Sequence, residues 1–267
     1  MTAHRGKSLH KRLEFFFKRY TAQIEKFSGK PIPKPIEDYL DMPIKWTRKL
    51  KKIVGQRTTL AFEPEMIRPS LYRPFSTRAT YYSSALNEDH YQLDGLGLSD
   101  TSTIIALSGY PSAKPFQALG LNGLWHHDFL DKTNGMPRYR YASDGDQIDN
   151  ITNWAFNKFA KHYGKKAKIT KDDIFAYVYA VLHDPVYRET YAINLKREFP
   201  RIPFYPDFHQ WRDWGQTLLD LHIGYENVTP WPLDRTDTSD EKAASAGLNP
   251  KVKLKADKVA GTIELDS

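Results

Sequence analysis

The 267-residue chain has a net charge of +7, is 40% hydrophobic and 13% aromatic, and contains no cysteine. That length allows one large domain or two small ones with a sizeable core, while the missing thiols exclude a disulfide framework, a thiolate metal site and a cysteine nucleophile. No run approaches the ~20 apolar residues of a membrane span, and the opening MTAHRGKSLHKRLEFFFKRY is no signal peptide, so a cytoplasmic protein is expected.

The positive charge is concentrated at the start. Residues 1–57 hold fifteen Lys/Arg against five Asp/Glu, a balance of +10, which leaves −3 for the remainder. Contact with a polyanion is expected there. Residues 7–27 are predicted to form an amphipathic helix with Leu13, Phe16, Phe17, Tyr20 and Ile24 on one stripe. KPIPKP, from Lys30 to Pro35, reads as a stiff extended linker. A basic helical segment is then expected over Tyr39–Val54, where spacings of three and four place Lys45, Arg48 and Lys52 side by side. Lys45, Arg48, Lys49 and Lys52 are candidate phosphate contacts. A solvated helix face and a packing surface for another protein part are the competing readings.

Short segments rich in Thr, Tyr, Ile or Phe predict strands at Thr59–Phe62, Ala79–Ser83, Thr103–Leu107 and Arg138–Tyr141. Asn87–Asp100 reads as a loop, and Leu121–Leu130 fits either a strand or a helical turn. Arg68, Arg73 and Arg78 lie five residues apart around Tyr72-Arg73-Pro74-Phe75, near Tyr81 and Tyr82. Arginine matches guanine O6 and N7 in bidentate fashion, so one reading is a DNA-facing surface with aromatic neighbours that include Tyr82. The other is a structural corner with its guanidinium groups bonded to buried carbonyls.

From Asn150, ITNWAFNKFAKHY predicts a helix closed by Gly164. Three more helices follow. Thr170 and Asp173 form a capping box ahead of the first, whose apolar face is Ile174, Tyr177, Val178, Val181 and Leu182. Asp184 caps the second with Pro185 at its first position, and that helix is expected to run on to Lys196 and Arg197. Asp207 caps the third, with Trp211, Trp214, Leu218, Leu221 and His222 on its inner face. Lys196, Arg197 and Arg201 are further candidate DNA contacts; a helix C-terminus with a structural salt bridge is the alternative. Residues 229–250 read as an exposed connector, and Lys251–Leu254 with Thr262–Leu265 as a hairpin. His126-His127-Asp128 lacks a second ligand pair at metal-site spacing, and SDGDQIDN misses the calcium-loop pattern and reads as a turn plus helix cap.

The series DIFAYVYAVLHDPVYRETYAINLKREFPRIPF resembles the C-terminal specificity region of type ISP restriction–modification enzymes. Further blocks match in the same order: KWTRKLKK, then RPSLYRPFSTRATYY from Arg68 to Tyr82, then PRYRY from Pro137 to Tyr141. Together they span residues 40–265, and several ordered blocks are far more specific than one short motif. The resemblance implies sequence-specific target recognition on double-stranded DNA, beside methyltransferase and translocase parts on the same or a separate polypeptide, with no membrane. S-adenosylmethionine, ATP and Mg would belong to the complete enzyme only. The chain itself carries no Asn/Asp-Pro-Pro-aromatic tetrad, no GxxxxGK[ST] loop and no G-x-S-x-G elbow, so no catalytic residue is assigned. It reads as an internal piece of a larger enzyme or one product of a split gene. The expected fold is α+β: a basic helical segment (1–57), a recognition core of small mixed sheet and helical bundle (58–228), a linker (229–250) and a β-hairpin (251–267). A docking domain that does not read DNA, and a nuclease with a dispersed site, are the alternatives.

Overall fold

Thr170 starts the helix at the centre of the larger unit. Its hydroxyl accepts the Asp173 N–H, and the Asp173 carboxylate accepts the Thr170 N–H at 2.8 Å. This capping box precedes α4 (Lys171–Val181), in which seven of eleven residues are buried. A helix apolar on nearly every side must be covered on nearly every side. It packs between α7 (Phe208–Ile223) and a three-stranded sheet, within a cluster that includes Ile105, Leu107, Ala118, Tyr179, Phe208 and Leu219. The structure, a computed structural model, describes residues 2–3, 6–87, 99–229, 232, 253–257, 259 and 262–266. It divides into two units, Met1–Val228 and Thr229–Ser267.

The α4–α7 crossing is close. A Cβ added to Gly215 would stand 1.8 Å from the Ala176 carbonyl oxygen, so only glycine fits. That contact corrects the expected inner face of α7. Gly215 lies nearest α4, and Phe208, Gly215 and Leu219 are the buried residues, whereas Trp214 and Leu221 are 50% and 48% exposed. Trp214 is one residue, about 100°, round from the contact stripe.

The other helices follow their caps. α3 (Asn153–Tyr163) starts at Thr152 and ends at Gly164, φ 78°. Asp184 accepts the Val186 N–H to start α5 (Pro185–Thr190), but the expected second helix breaks at Tyr191 (φ −105°, ψ 20°) before α6 (Ala192–Leu195). Asp207, at φ 55°, caps α7 through the Gln210 N–H. In the N-terminal part α1 (Gly6–Lys26) buries Leu13, Phe16, Phe17 and Tyr20 against a cluster with Leu50, Val54 and Tyr81. α2 is only Arg48–Gly55. Thr47 caps it by accepting the Leu50 N–H, and Ile36–Tyr39 is a separate 3-10 turn, so Lys45 lies outside the helix expected to carry it.

Three sheets complete the larger unit among the described residues. β4 (Thr103–Leu107) pairs antiparallel with β5 (Ala118–Asn122) on one side and β7 (Asn134–Pro137) on the other. Its apolar residues are buried on both faces, Ile105 and Leu107 towards the bundle and Ile104 and Ala106 towards Phe129. The second sheet has the order β1 (Thr2–Ala3), β3 (Ser76–Tyr81), β2 (Ile67–Arg73), β6 (Leu124–Trp125), with β6 parallel to β2. The strand expected at Thr59–Phe62 is not formed; β2 takes that place despite Pro69, because β6 pairs with it only at Ser70 and Leu71. Gln147–Asp149, read as a turn and cap, is instead a strand, β9, paired with β8 (Tyr139–Tyr141). In the smaller unit β10 (Lys253–Asp257) and β11 (Thr262–Asp266) form the expected antiparallel hairpin. The architecture is α+β. The loop expected at 87–100 lies mostly, and the linker at 229–250 almost wholly, outside the described residues.

Candidate nucleic-acid interface

The cations chosen from the sequence fall into three places. The first is α2, where Arg48, Lys49, Lys51 and Lys52 make up half of an eight-residue helix without an acid. Arg48 and Lys49 sit in its first turn, where the helix dipole disfavours positive charge, so helix stability is no reason for them. Lys45, Arg48 and Lys52 are exposed. Lys49 is anchored instead, its Nζ donating to the carbonyls of Ser84 and Asn87, and Lys51 pairs with Glu37 at 3.1 Å.

The second place is the β2–β3 hairpin. Its register slips between Leu71 and Arg73, a bulge at Tyr72 that re-aims the side chain. The Tyr72 ring is flanked by both guanidinium groups, Arg73 at 4.2 Å and Arg78 at 3.8 Å from the ring centroid, and His126 meets it edge-on at 5.2 Å. Burial first, then the charges of Arg73 and Arg78, push the His126 imidazole below its ordinary pKa. The turn itself is Pro74-Phe75, with Phe75 at φ 56°. A bulky residue in the left-handed region costs roughly 1 kcal/mol or more. Contacts to Tyr225 (4.8 Å between ring centroids) and His222 (6.2 Å) offset that cost. Arg68, by contrast, is occupied. Its Nε and Nη2 reach Asp100 Oδ1 at 3.0 and 2.6 Å, and its guanidinium lies 6.0 Å from the Tyr82 ring. The hairpin therefore brings Arg73 and Arg78 together and leaves Arg68 and Tyr82 in a separate contact.

The third place is the end of α6. Lys196 is half-buried and its carbonyl accepts the Ser112 N–H; Arg197 is exposed; Arg201 pairs with Glu198 at 2.9 Å with its side chain 85% exposed. No contact joins these three to the hairpin cations among the described residues. Arg138, in the PRYRY block, is a structural arginine: it is buried and bridges Asp149 (2.8 Å) and Asp172 (2.5 Å). Sequence reading took Phe75 only as part of a structural corner and gave His126 no role at the site; a bulky residue straight after Pro74 in a turn was the available signal for the strained tip.

Among the described residues no group of three or more His, Asp or Glu is arranged to hold a metal ion, and no helix is long and apolar enough to cross a membrane. His127 faces Asp128 alone at 3.2 Å.

The fold has known counterparts. The cryo-EM structure of the DrdV–DNA complex matches with a TM-score of 0.89 and 40% identity, over 99% of this chain and 27% of that one. A nuclease-deletion mutant of the Type ISP restriction–modification enzyme LlaGI, in complex with a DNA substrate mimic, matches at 0.71 and 27% identity, over 85% of this chain and 21% of that one. The ATP-dependent Type ISP enzyme LlaBIII bound to DNA shares the fold at 0.71 and 22% identity, over 95% and 20%. The chain thus spans about a quarter to a fifth of the length of the chains it matches. Among curated proteins there is no match. The Type ISP C-terminal specificity domain matches over residues 1–267, the full extent of the fold just described, and the chain belongs to that family.

Proposed function

We propose that this domain recognises the DNA target of a Type ISP restriction–modification enzyme and that catalysis resides on other sequence. The observation that carries the reading is the whole-length match to the specificity-domain family, together with 40% identity to a chain whose structure is a DNA complex. In this reading Lys45, Arg48 and Lys52 contact phosphates and set the register, while Arg73 and Arg78 are aimed at base edges by the bulged hairpin. Rigid placement of an arginine pair suits bidentate guanine recognition, since less side-chain entropy is lost on binding. In this reading S-adenosylmethionine, ATP and Mg belong to other parts of the enzyme, in keeping with a sequence that carries no base-holding tetrad and no GxxxxGK[ST] loop. The domain's contribution is contact energy that positions a target base for chemistry elsewhere.

The test is duplex binding by the 267-residue chain as a function of salt, followed by selection from a random-sequence pool. A steep fall in affinity with salt and an enriched sequence are expected. Charge reversal of Lys45, Arg48 and Lys52 together should lower the salt slope by about 2–3, since each phosphate contact contributes about 0.9, and weaken all duplexes alike. Replacing Arg73 or Arg78 should change the enriched sequence. A folded chain that binds no duplex at low salt overturns the reading.

A further inference from the structure

Arg188 on α5 stands apart from every other arginine of the bundle. It is half-buried, yet no carboxylate faces it among the described residues. Its Nε is shielded from solvent and has no hydrogen-bond partner. Its Nη2 makes one long contact, 3.4 Å, to the Phe116 carbonyl, and its guanidinium lies 5.7 Å from the Phe116 ring. The groups around it are neutral or basic: the Tyr179 hydroxyl, His183 and, beyond it, His222. The His183 and His222 rings are 5.5 Å apart. Tyr179 Oη accepts the Gly120 N–H at 2.6 Å and pairs with His222 Nδ1 at 2.5 Å, and His183 Nδ1 donates to the Tyr179 carbonyl at 2.8 Å, so none of these groups balances the charge.

A desolvated cation without a counter-ion is costly, and burial alone depresses the Arg188 pKa. The buried Arg138, by contrast, is paired with both Asp149 and Asp172. An uncompensated guanidinium favours an oxyanion supplied from outside. The cluster is also joined to the candidate hairpin, because His222 packs against Phe75 of the Tyr72–Phe75 turn.

We propose that Arg188, beside His183 and Tyr179, is an anion site that holds a phosphate of the DNA backbone, a contact outside the basic N-terminal segment. This rests on the DNA-recognition reading above and adds a fixed point on the bundle side of the hairpin.

The test compares wild type, Arg188→Met and Arg188→Lys in the 267-residue chain. Binding of a selected duplex and of an unrelated duplex is measured across salt, and thermal stability is measured with and without inorganic phosphate. Arg188→Met fills similar volume and removes the uncompensated charge, so its melting temperature should equal or exceed that of wild type. Its affinity should fall roughly tenfold for both duplexes, the loss of a charge-assisted hydrogen bond, with the salt slope lower by about 0.9. Arg188→Lys should keep the slope and lose only part of the affinity. If wild type binds DNA and a folded Arg188→Met binds with the same affinity and slope, the site is refuted while target recognition stands. If wild type binds no DNA but phosphate stabilises it and not Arg188→Met, the cluster takes free phosphate and the backbone assignment is overturned with the recognition reading. If phosphate and DNA both leave wild type unchanged, both proposals fall.

Discussion

Gly215→Ala should destabilise the domain even though it improves helix propensity. In the middle of α7, alanine gains about 1 kcal/mol over glycine if nothing else changes. Here the new Cβ would lie 1.8 Å from Ala176 O and 2.6 Å from its carbonyl carbon, and the obstacle is the backbone of a capped, buried helix that cannot swing aside. Overpacking of that kind costs about 3 kcal/mol, leaving a net loss of about 2 kcal/mol. For a domain of this size that corresponds to a fall of roughly 5 °C in melting temperature. Gly55→Ala is the matched control. It is also helical, but the nearest atom to its Cβ is Ile36 Cδ1 at 4.0 Å, so it should gain a few tenths of a kcal/mol. Urea unfolding followed by circular dichroism compares the two midpoints. A Gly215→Ala protein as stable as wild type would mean that α4 and α7 do not cross at this distance.

The Phe75 turn predicts an order among substitutions. Phe75→Ala and Phe75→Gly lose the same contacts to Tyr225 and His222, but only alanine keeps the left-handed penalty, so Phe75→Gly should be the more stable by about 1 kcal/mol; equal midpoints would show that the turn stores no strain. Acidification should also weaken the fold. Burial holds the His183 and His222 imidazoles below their ordinary value of 6.5, so the unfolded chain binds more protons; stability is full above about pH 6.5 and is lost as pH falls through that value towards the folded ones. The urea midpoint should drop between pH 7.5 and 5.5, less so in His222→Gln, and a flat profile in wild type would refute the burial argument.

Local chemistry was the part of the fold legible in the sequence. Thr170–Asp173, Asp184-Pro185 and Asp207 each cap through residues at most three apart and start helices where expected, whereas α3 is capped by Thr152, past the start expected at Asn150. Features that need a distant partner were not legible. β2 hides behind Pro69, and β5 and β7 behind glycines. Gly120 and Gly135 sit in those strands because the Leu219 and Tyr179 side chains and the Trp125 ring occupy the space of a Cβ. At the candidate site, three arginines spaced by five looked equivalent. Asp100, 32 residues from Arg68, and the bulge at Tyr72 separate them into one ion-paired arginine and two stacked on a tyrosine.

In the proposed reading, the same contacts explain how a two-residue turn holds arginines steady enough to discriminate bases. A lone hairpin is marginal in water, and this one places a phenylalanine in a disfavoured conformation at its tip. Its position is therefore set from outside: Phe75 rests on Tyr225 and His222. His222 is tied through Tyr179 to Gly120 of β5, and α7 is seated on α4 at Gly215. The cationic α2 belongs to a different hydrophobic cluster, built on α1 and Tyr81. In the proposed reading, the base of the hairpin shares a core with the phosphate-gripping α2 through Ile67, Ala79 and Tyr81, while its tip is braced by the bundle. Core substitutions near Leu50 or Val54 should then lower affinity for every duplex, whereas those near Leu219 should disturb sequence preference first.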